Sequence, residues 1–256
     1  MSDSTRTDSP EPTAGGTEPR RQVFVTTHWS VVLTAGHSDT PRARAALETL
    51  CQTYWHPLYA YVRRAGHSRE EAQDFTQEFF ARLLARNTVA RADPARGRFR
   101  SFLLASLKHF LANEWAKARA QKRGGSAQLL PLEFDTAETR FAQPVAPGDT
   151  PDRAFDRQWA LALLDVVLGR LRREYIDAGR EGLFLGLKDT LSGGRTEIPY
   201  RSLGANLGMS EAGVKVAAHR LRRRYRELLR EEIANTVATP EEVQDELKHL
   251  FAALSV

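Results

Sequence analysis

Cationic side chains recur at helical spacing in the segment that ends near residue 229. Lys215, His219, Arg222 and Arg226 fall on one line of a helix, apart from the apolar stripe that the same helix would bury. A helix with such a line fits the major groove of DNA, where Arg and Lys bind phosphates and guanine edges. The residues expected to contact DNA here are Ser210, Lys215, Val216, His219, Arg220, Arg222 and Arg223. The plainer interpretation is a solvated basic face, which is what most charge runs are.

Two helices and a turn are needed to position this line. Tyr200, Leu203 and Leu207 stand at the spacing of one helical face, and Gly208 supplies a turn residue that tolerates positive φ. Ser210 is a suitable N-cap for the second helix. Helix, turn, helix and charge coincide in one register, which favours a helix-turn-helix over a solvated basic face.

A second segment, residues 98–123, interleaves aromatic and basic side chains. Aromatic rings can stack on unpaired bases while guanidinium and ammonium groups bind the phosphates, so this composition suits nucleic acid that is being opened. The residues expected to do so are Arg98, Arg100, Phe102, Lys108, His109, Trp115, Lys117 and Arg119. For Phe99, Phe102 and Phe110 the alternative is packing in a hydrophobic core, where most large aromatic side chains lie.

A third pattern is an acidic strip in this basic chain. The sequence from Glu70 to Leu84 predicts a helix with one apolar face, and Glu70, Asp74, Gln77 and Glu78 cluster on a neighbouring face. Carboxylates and amides accept hydrogen bonds from arginine, so the strip suits a basic protein partner. An ordinary solvated face is the alternative interpretation.

The composition excludes several classes of protein. The 256 residues carry a formal net charge of +5, and Cys51 is the one cysteine, so neither an intrachain disulfide nor a cysteine-rich zinc site can form. The histidines are scattered, and no phosphate-binding glycine loop, nucleotide fingerprint or catalytic-triad motif occurs. We therefore expect no enzymatic activity, no metal and no cofactor. The sequence has no long apolar run and no signal peptide, which predicts a cytoplasmic protein.

Helical periodicity recurs along the chain and alternating strand patterns are scarce, which predicts an all-α fold of two small helical domains joined by an irregular linker. The expected parts are a disordered tail (1–21), a helical domain (22–123), an acidic, Pro-rich linker (124–156), a domain with the helix-turn-helix (157–235) and an amphipathic C-terminal helix (239–256). Pro57 marks a kink or a boundary in the first domain. Thr239 and Pro240 are the expected cap and first residue of the C-terminal helix.

Two runs of residues resemble a known family. DFTQEFF at residues 74–80, followed by GRFRSFL at residues 97–103, is similar to bacterial RNA polymerase sigma factors, in particular to the compact extracytoplasmic-function (ECF) type. The resemblance covers roughly residues 47–123 and 159–229. It implies a polymerase-binding, promoter-melting domain followed by a helix-turn-helix domain, with no catalysis by the protein itself.

The resemblance also assigns partners to the segments. It implies that Asp74, Gln77, Glu78 and Phe80 dock against the clamp coiled coil in the largest subunit of core RNA polymerase. It further implies that residues 98–123 open promoter DNA and capture the downstream element, while the basic helix reads the upstream element. The site of action is then the nucleoid, and no membrane contact is expected. Control by an anti-sigma factor, by phosphorylation or by the C-terminal helix stays open.

Two departures from the family pattern concern the bases that are read. Lys108 and His109 stand where many members have an Arg-Asn pair, and Val216 and Ala217 replace polar residues of the reading helix. Val216 could contact a thymine methyl group. The promoter sequence is therefore not predicted. The alternative function is a stand-alone helix-turn-helix regulator that binds palindromic DNA as a dimer, but it leaves the acidic strip and residues 98–123 unexplained.

Overall fold

The computed structural model describes residues 32–35, 40–85, 88–120, 149–192 and 200–255. Within these ranges the regular secondary structure is helical and contains no strand, which confirms the all-α class. The longer helices are α1 (Pro41–Arg64), α2 (Arg69–Ala85), α3 (Phe99–Ala120), α4 (Pro151–Asp177), α5 (Glu181–Leu187), α6 (Tyr200–Leu207), α7 (Glu211–Ala234) and α8 (Glu242–Leu254). Single 3-10 turns lie at Thr88–Arg91, Pro94–Arg96 and Lys188–Ser192. The predicted tail and most of the predicted linker lie outside the described residues.

Side-chain caps fix where several helices begin. At the start of α1, the Thr40 hydroxyl accepts a hydrogen bond of 3.2 Å from the Ala43 N–H. At the start of α2, the Ser68 hydroxyl accepts from the Glu71 N–H (3.1 Å), and the Glu71 carboxylate accepts from the Ser68 N–H (2.9 Å). This reciprocal pair is a capping box. Each such bond satisfies an N–H group that the first turn of a helix leaves without a helical acceptor.

Helices α1 and α4 extend across two positions that the sequence marks as possible boundaries. Pro57 lies inside α1, which continues to Arg64. The surrounding turns, from Thr53 to Ala60, are buried throughout, so packing holds the helix together where proline removes a backbone hydrogen bond. α4 begins at Pro151, within the stretch predicted as linker, because the Thr150 hydroxyl caps it. The acidic residues from 151 to 156 are therefore helical.

The centre of the molecule is the contact between α1 and α4. Tyr54, Leu58 and Tyr59 from α1 lie in the same hydrophobic core as Phe155 and Trp159 from α4, and each is at most 4% exposed. This core continues into α2, α3 and α7. The two segments predicted as separate domains thus share one hydrophobic core in this conformation. Separate domains usually have separate hydrophobic cores, whereas the described residues of both segments belong to one core. The division into two domains therefore stays a prediction.

The C-terminal helix packs on its own chain. α8 contacts α4 and α7, and its Leu247 and Leu250 are buried in the shared core. It begins at Glu242 and not at Thr239: the carboxylate of Glu242 reaches back to accept a hydrogen bond of 2.9 Å from the Ala238 N–H. Thr239 is therefore not the side-chain cap that the sequence predicts. None of the helices in the described ranges combines the length and the apolar character that crossing a membrane requires.

Candidate nucleic-acid and polymerase interface

The first turn of α3 directs an arginine into the interior. Arg100 is 6% exposed; its Nε donates a hydrogen bond of 3.0 Å to Glu246 Oε1, and its Nη2 donates one of 2.9 Å to Glu246 Oε2. Nη1 donates to Asp156 Oδ1 at 2.9 Å, and the guanidinium carbon lies 4.4 Å from the centre of the Trp159 ring. Arg100 is predicted from the sequence as a DNA contact. In this conformation its donors are taken up by protein acceptors, and the DNA contact at Arg100 stays a prediction.

Two neighbouring cations are held in a similar way. Arg98 Nε lies 2.8 Å from Glu246 Oε2, which is itself fully buried. The Lys108 ammonium donates to Asp152, and this hydrogen bond raises the pKa of the Lys108 side chain above its ordinary value. We call Arg98, Arg100, Asp156 and Glu246 the arginine–glutamate cluster. It joins α3, α4 and α8, which lie far apart in sequence.

The aromatic side chains of α3 divide into buried and accessible ones. Phe99 and Phe110 are core residues, as the plainer interpretation predicts, and Phe102 is half-buried with its ring 5.9 Å from that of Phe99. Trp115 is 55% exposed, and its ring lies 5.8 Å from that of His67. Accessible stacking surface on the described part of α3 is thus centred on Trp115. His109 is also exposed, whereas the side chains of Lys117 and Arg119 lie outside the described set.

Of the four residues predicted to dock on polymerase, three are at least partly exposed on the surface of α2. Asp74 is exposed, and Gln77 and Glu78 are partly exposed. Glu78 forms an ion pair with Arg82 one turn on, and Arg82 also donates a hydrogen bond of 2.6 Å to Glu114 of α3. Phe80 is the exception: it is 1% exposed and lies in the hydrophobic core. Its side chain packs inside the chain in this conformation, and its contact with a partner stays a prediction.

Helices α6 and α7 meet at a tight turn, as the sequence predicts. Gly208 adopts a φ of 63°, and the Ser210 hydroxyl accepts a hydrogen bond of 3.1 Å from the Gly213 N–H at the start of α7. A Cβ atom on Gly204 would lie 2.6 Å from the carbonyl oxygen of Met209, so only glycine allows this close approach. The sequence around the turn therefore fixes the angle at which α7 leaves α6.

Most of the predicted DNA-contacting residues lie on one exposed face of α7. The exposed members are Lys215, Val216, His219, Arg220 and Arg223, and Val216 is 50% exposed. Lys215 pairs with Glu211 at 2.7 Å within the helix, and Glu211 has a pKa below its usual value because it accepts a hydrogen bond from Lys215. The opposite face, with Val214, Ala218 and Leu221, is fully buried. Burial of that stripe orients the cationic line toward solvent.

Arg222 departs from this line. Its Nε donates a hydrogen bond of 3.0 Å to the carbonyl oxygen of Thr190, and its Nη2 donates one of 3.1 Å to the Tyr200 hydroxyl. The side chain is partly buried and ties α7 to α6 and to the 3-10 turn before it. Arg222 therefore has a structural role in this conformation, and its DNA contact stays a prediction. Thr190 lies within the 3-10 turn Lys188–Ser192, so this bond joins α7 to that turn.

A comparison with family models matches residues 50–121 to Sigma-70 region 2. The chain carries the region 2 domain of an RNA polymerase sigma factor. The matched range includes the acidic strip of α2, the arginines at the start of α3 and Trp115. The match implies a role of this segment in promoter recognition and promoter melting together with core RNA polymerase, which is not an enzymatic role. Comparisons with curated proteins and with solved structures give no match.

The described residues also form a basic cleft that the sequence interpretation missed. Arg91, Arg96 and Arg98 line a cavity of about 730 Å³. Its other lining residues are Asp93, Gly97, Ser101, Phe102 and Glu242. The sequence signal for this cleft was a series of arginines, at positions 91, 96, 98 and 100. Residues 91 and 96 precede the aromatic and basic segment at residues 98–123, so that segment did not include them. The acidic partners from α4 and α8 had no local signal at all.

Proposed function

We propose that the chain is an ECF-type sigma factor that grips promoter DNA at two places. The observation that carries the proposal is the region 2 match at residues 50–121, followed later in the chain by two helices, a tight turn and an exposed cationic line. Region 2 supplies binding to core polymerase and promoter melting. The α6–turn–α7 unit is a helix-turn-helix that reads the upstream promoter element. The protein thereby acts in the cytoplasm, at the nucleoid.

Docking on polymerase is assigned to the surface of α2. Asp74, Gln77 and Glu78 offer acceptors on one face, and a basic surface on the clamp coiled coil of the largest polymerase subunit is the complementary partner. Phe80 supports the docking helix from the core side. Because exposed charges mainly steer association, the acidic strip should affect the rate of binding and its dependence on salt.

DNA contacts are assigned to the accessible residues of two helices. On α3, the exposed Trp115 and His109 can stack on bases of the opened strand. Lys117 and Arg119 stay phosphate contacts predicted from the sequence alone. On α7, the residues that support upstream reading are Lys215, Val216, His219, Arg220 and Arg223, with Ser210 at the helix start. Val216 is suited to a thymine methyl, and the cations are suited to phosphates and guanine.

Transcription in vitro tests the proposal as a whole. Core RNA polymerase is incubated with the full-length chain and a library of promoter fragments, and the transcripts are sequenced. We expect initiation at a shared pair of promoter elements that appears only when the chain is present. Absence of both stimulation and measurable binding to core polymerase refutes the proposed function.

A charge reversal tests the docking surface separately. Asp74→Arg should weaken binding to core polymerase at least tenfold, or about 1.4 kcal/mol, because it places a cation opposite a basic partner. Glu181→Arg is the matched control, since Glu181 is also exposed but lies on α5 with Arg172 as its partner. Equal losses for the two variants exclude α2 as the docking helix.

A further inference from the structure

The acidic edge of α8 lies against the arginines of region 2. Glu242, Asp245 and Glu246 stand three and four residues apart, which places them on adjoining positions of one helical edge. Glu242 lines the basic cleft, and Glu246 accepts hydrogen bonds from Arg100 at 3.0 and 2.9 Å. Arg98 adds a third contact to Glu246 at 2.8 Å. A single carboxylate thus takes up donors from two cations that face it from α3.

The first turns of α4 complete this arrangement. Asp156 accepts from Arg100 at 2.9 Å and lies 3.2 Å from His249 Nε2 of α8, while Asp152 accepts from Lys108. Three of the cations expected to bind nucleic acid, Arg98, Arg100 and Lys108, are therefore paired with carboxylates of the same chain. Ion pairs between exposed side chains are common, but Glu246 is fully buried. Burial of a carboxylate requires the cations around it.

Carboxylate and phosphate are chemically equivalent partners for a guanidinium. Both accept two parallel N–H donors of the arginine fork, which is the geometry that Glu246 has with Arg100. We propose that α8 is an intramolecular competitor of nucleic acid: Glu246 occupies the position of a backbone phosphate on Arg98 and Arg100, and α8 must leave before region 2 binds the opened strand. The competing ligand is single-stranded DNA. This inference rests on the proposed function, because it concerns the same nucleic-acid surface.

The apolar attachment of α8 consists of two buried side chains and of Val243, Ala253 and Leu254, which are partly buried against the core. Leu247 and Leu250 are its buried apolar side chains, whereas Phe251 is 57% exposed. The polar part of the attachment runs through the arginine–glutamate cluster. A strand that pairs with Arg98 and Arg100 therefore removes the counter-charges of Glu246, and a buried carboxylate without counter-charges favours the exposed state of α8.

The substitution Glu246→Gln removes the negative charge of the side chain and keeps its shape. The full-length chain and its Glu246→Gln variant are titrated against a fluorescein-labelled thymidine strand of about 15 nucleotides, and anisotropy is recorded at several salt concentrations. We expect the variant to bind about tenfold more tightly. The slope of log K against log salt should steepen by about 1.4, since each added phosphate contact contributes about 0.7 for single strands. Unchanged affinity and unchanged slope overturn the proposal.

Two further variants exclude a trivial effect of net charge. Glu181→Gln makes the same change in net charge on α5 and should leave the affinity as it is. Glu246→Gln combined with Arg100→Gln should lose most of the gain, because the released guanidinium is then missing. Equal gains for Glu181→Gln and Glu246→Gln also overturn the proposal. Circular dichroism of each variant verifies that the helices are retained.

Hydrogen exchange on the unaltered chain gives an independent answer. Addition of the same strand should speed exchange of the backbone amides of α8 and leave those of the buried part of α1 protected. Protection of α8 that is unaffected by saturating strand overturns the proposal, even if the Glu246→Gln variant does not fold. The transcription assay keeps the two ideas apart: a chain that supports promoter-dependent initiation but shows no change in α8 retains the proposed function without the competition.

Discussion

Replacement of Arg222 by glutamine should loosen the attachment of α7 and leave contacts with DNA phosphates unchanged. The guanidinium donates to the Thr190 carbonyl at 3.0 Å and to the Tyr200 hydroxyl at 3.1 Å. A hydrogen bond from a charged donor contributes about 1.5–3 kcal/mol when it is desolvated. Since Arg222 is only partly buried, we expect the free energy of unfolding to fall by about 2 kcal/mol for the two bonds together. For a chain of this size, the melting temperature then falls by about 4–8 °C.

Thermal unfolding of the full-length chain, followed by circular dichroism, measures this loss. Tyr200→Phe removes one of the two bonds and should cost about 1 kcal/mol. Arg223→Gln is the matched control, because the neighbouring side chain is 73% exposed and pairs with Glu227 on its own helix. Its effect on the free energy of unfolding should stay within about 0.5 kcal/mol.

The dependence of duplex binding on salt separates the structural role from a DNA contact. Arg223→Gln should lower the slope of log K against log salt by about 0.9, the value for one lost phosphate contact. Arg222→Gln should leave that slope unchanged. If Arg222→Gln instead melts within about 1 °C of the unaltered chain and lowers the slope like Arg223→Gln, our reasoning is refuted and Arg222 binds phosphate.

Three further predictions concern the packing that positions the two surfaces. Gly204→Ala should lower the free energy of unfolding in urea by about 1–3 kcal/mol, because the added methyl would lie 2.6 Å from the Met209 carbonyl oxygen; an unchanged midpoint contradicts this. Burial raises the pKa of the Cys51 thiol to about 12, so Ellman's reagent at pH 8 should label native protein at least about 1,000-fold more slowly than unfolded protein; equal rates would show an accessible thiol. The Arg224 hydrogen bond holds the pKa of Glu174 below its usual 4.5, so its stabilisation is complete above that value and is lost as the pH falls through the lower, folded-state pKa. Glu174→Gln should therefore lower the melting temperature near pH 7 but hardly at a pH below the folded-state pKa of Glu174, and a deficit that persists in acid would contradict this.

Local features of the fold were predictable from the sequence because they depend on neighbouring residues. The turn at Gly208 and the cap at Ser210 follow from backbone preferences within a few residues, and both are present. The buried stripe that includes Val214 and Leu221 follows from helical periodicity. These features sufficed to place Lys215 and its neighbours on one exposed face.

Long-range pairing was not predictable from the sequence, and it determines the partners of two arginines, Arg100 and Arg222. Arg100 has the same local context as a surface arginine, yet its partner Glu246 comes from a helix that periodicity alone marks only as amphipathic. Arg222 likewise fits the cationic line of α7 by spacing. The Thr190 carbonyl oxygen that accepts its hydrogen bond belongs to the 3-10 turn before α6, which the spacing within α7 does not reveal. Phe80 is a position where an aromatic suits both a docking surface and a core, and burial decides for the core.

The sequence separation within the arginine–glutamate cluster has a kinetic consequence. Arg100 and Glu246 are 146 residues apart, so their pairing closes a long loop whose entropy must be lost before the contact contributes any stability. Contacts of this kind form after the folding barrier and therefore act mainly on the rate of unfolding. We therefore expect the cluster to lengthen the time for which α8 stays docked, while the speed of folding depends on the helices that cap and pack locally.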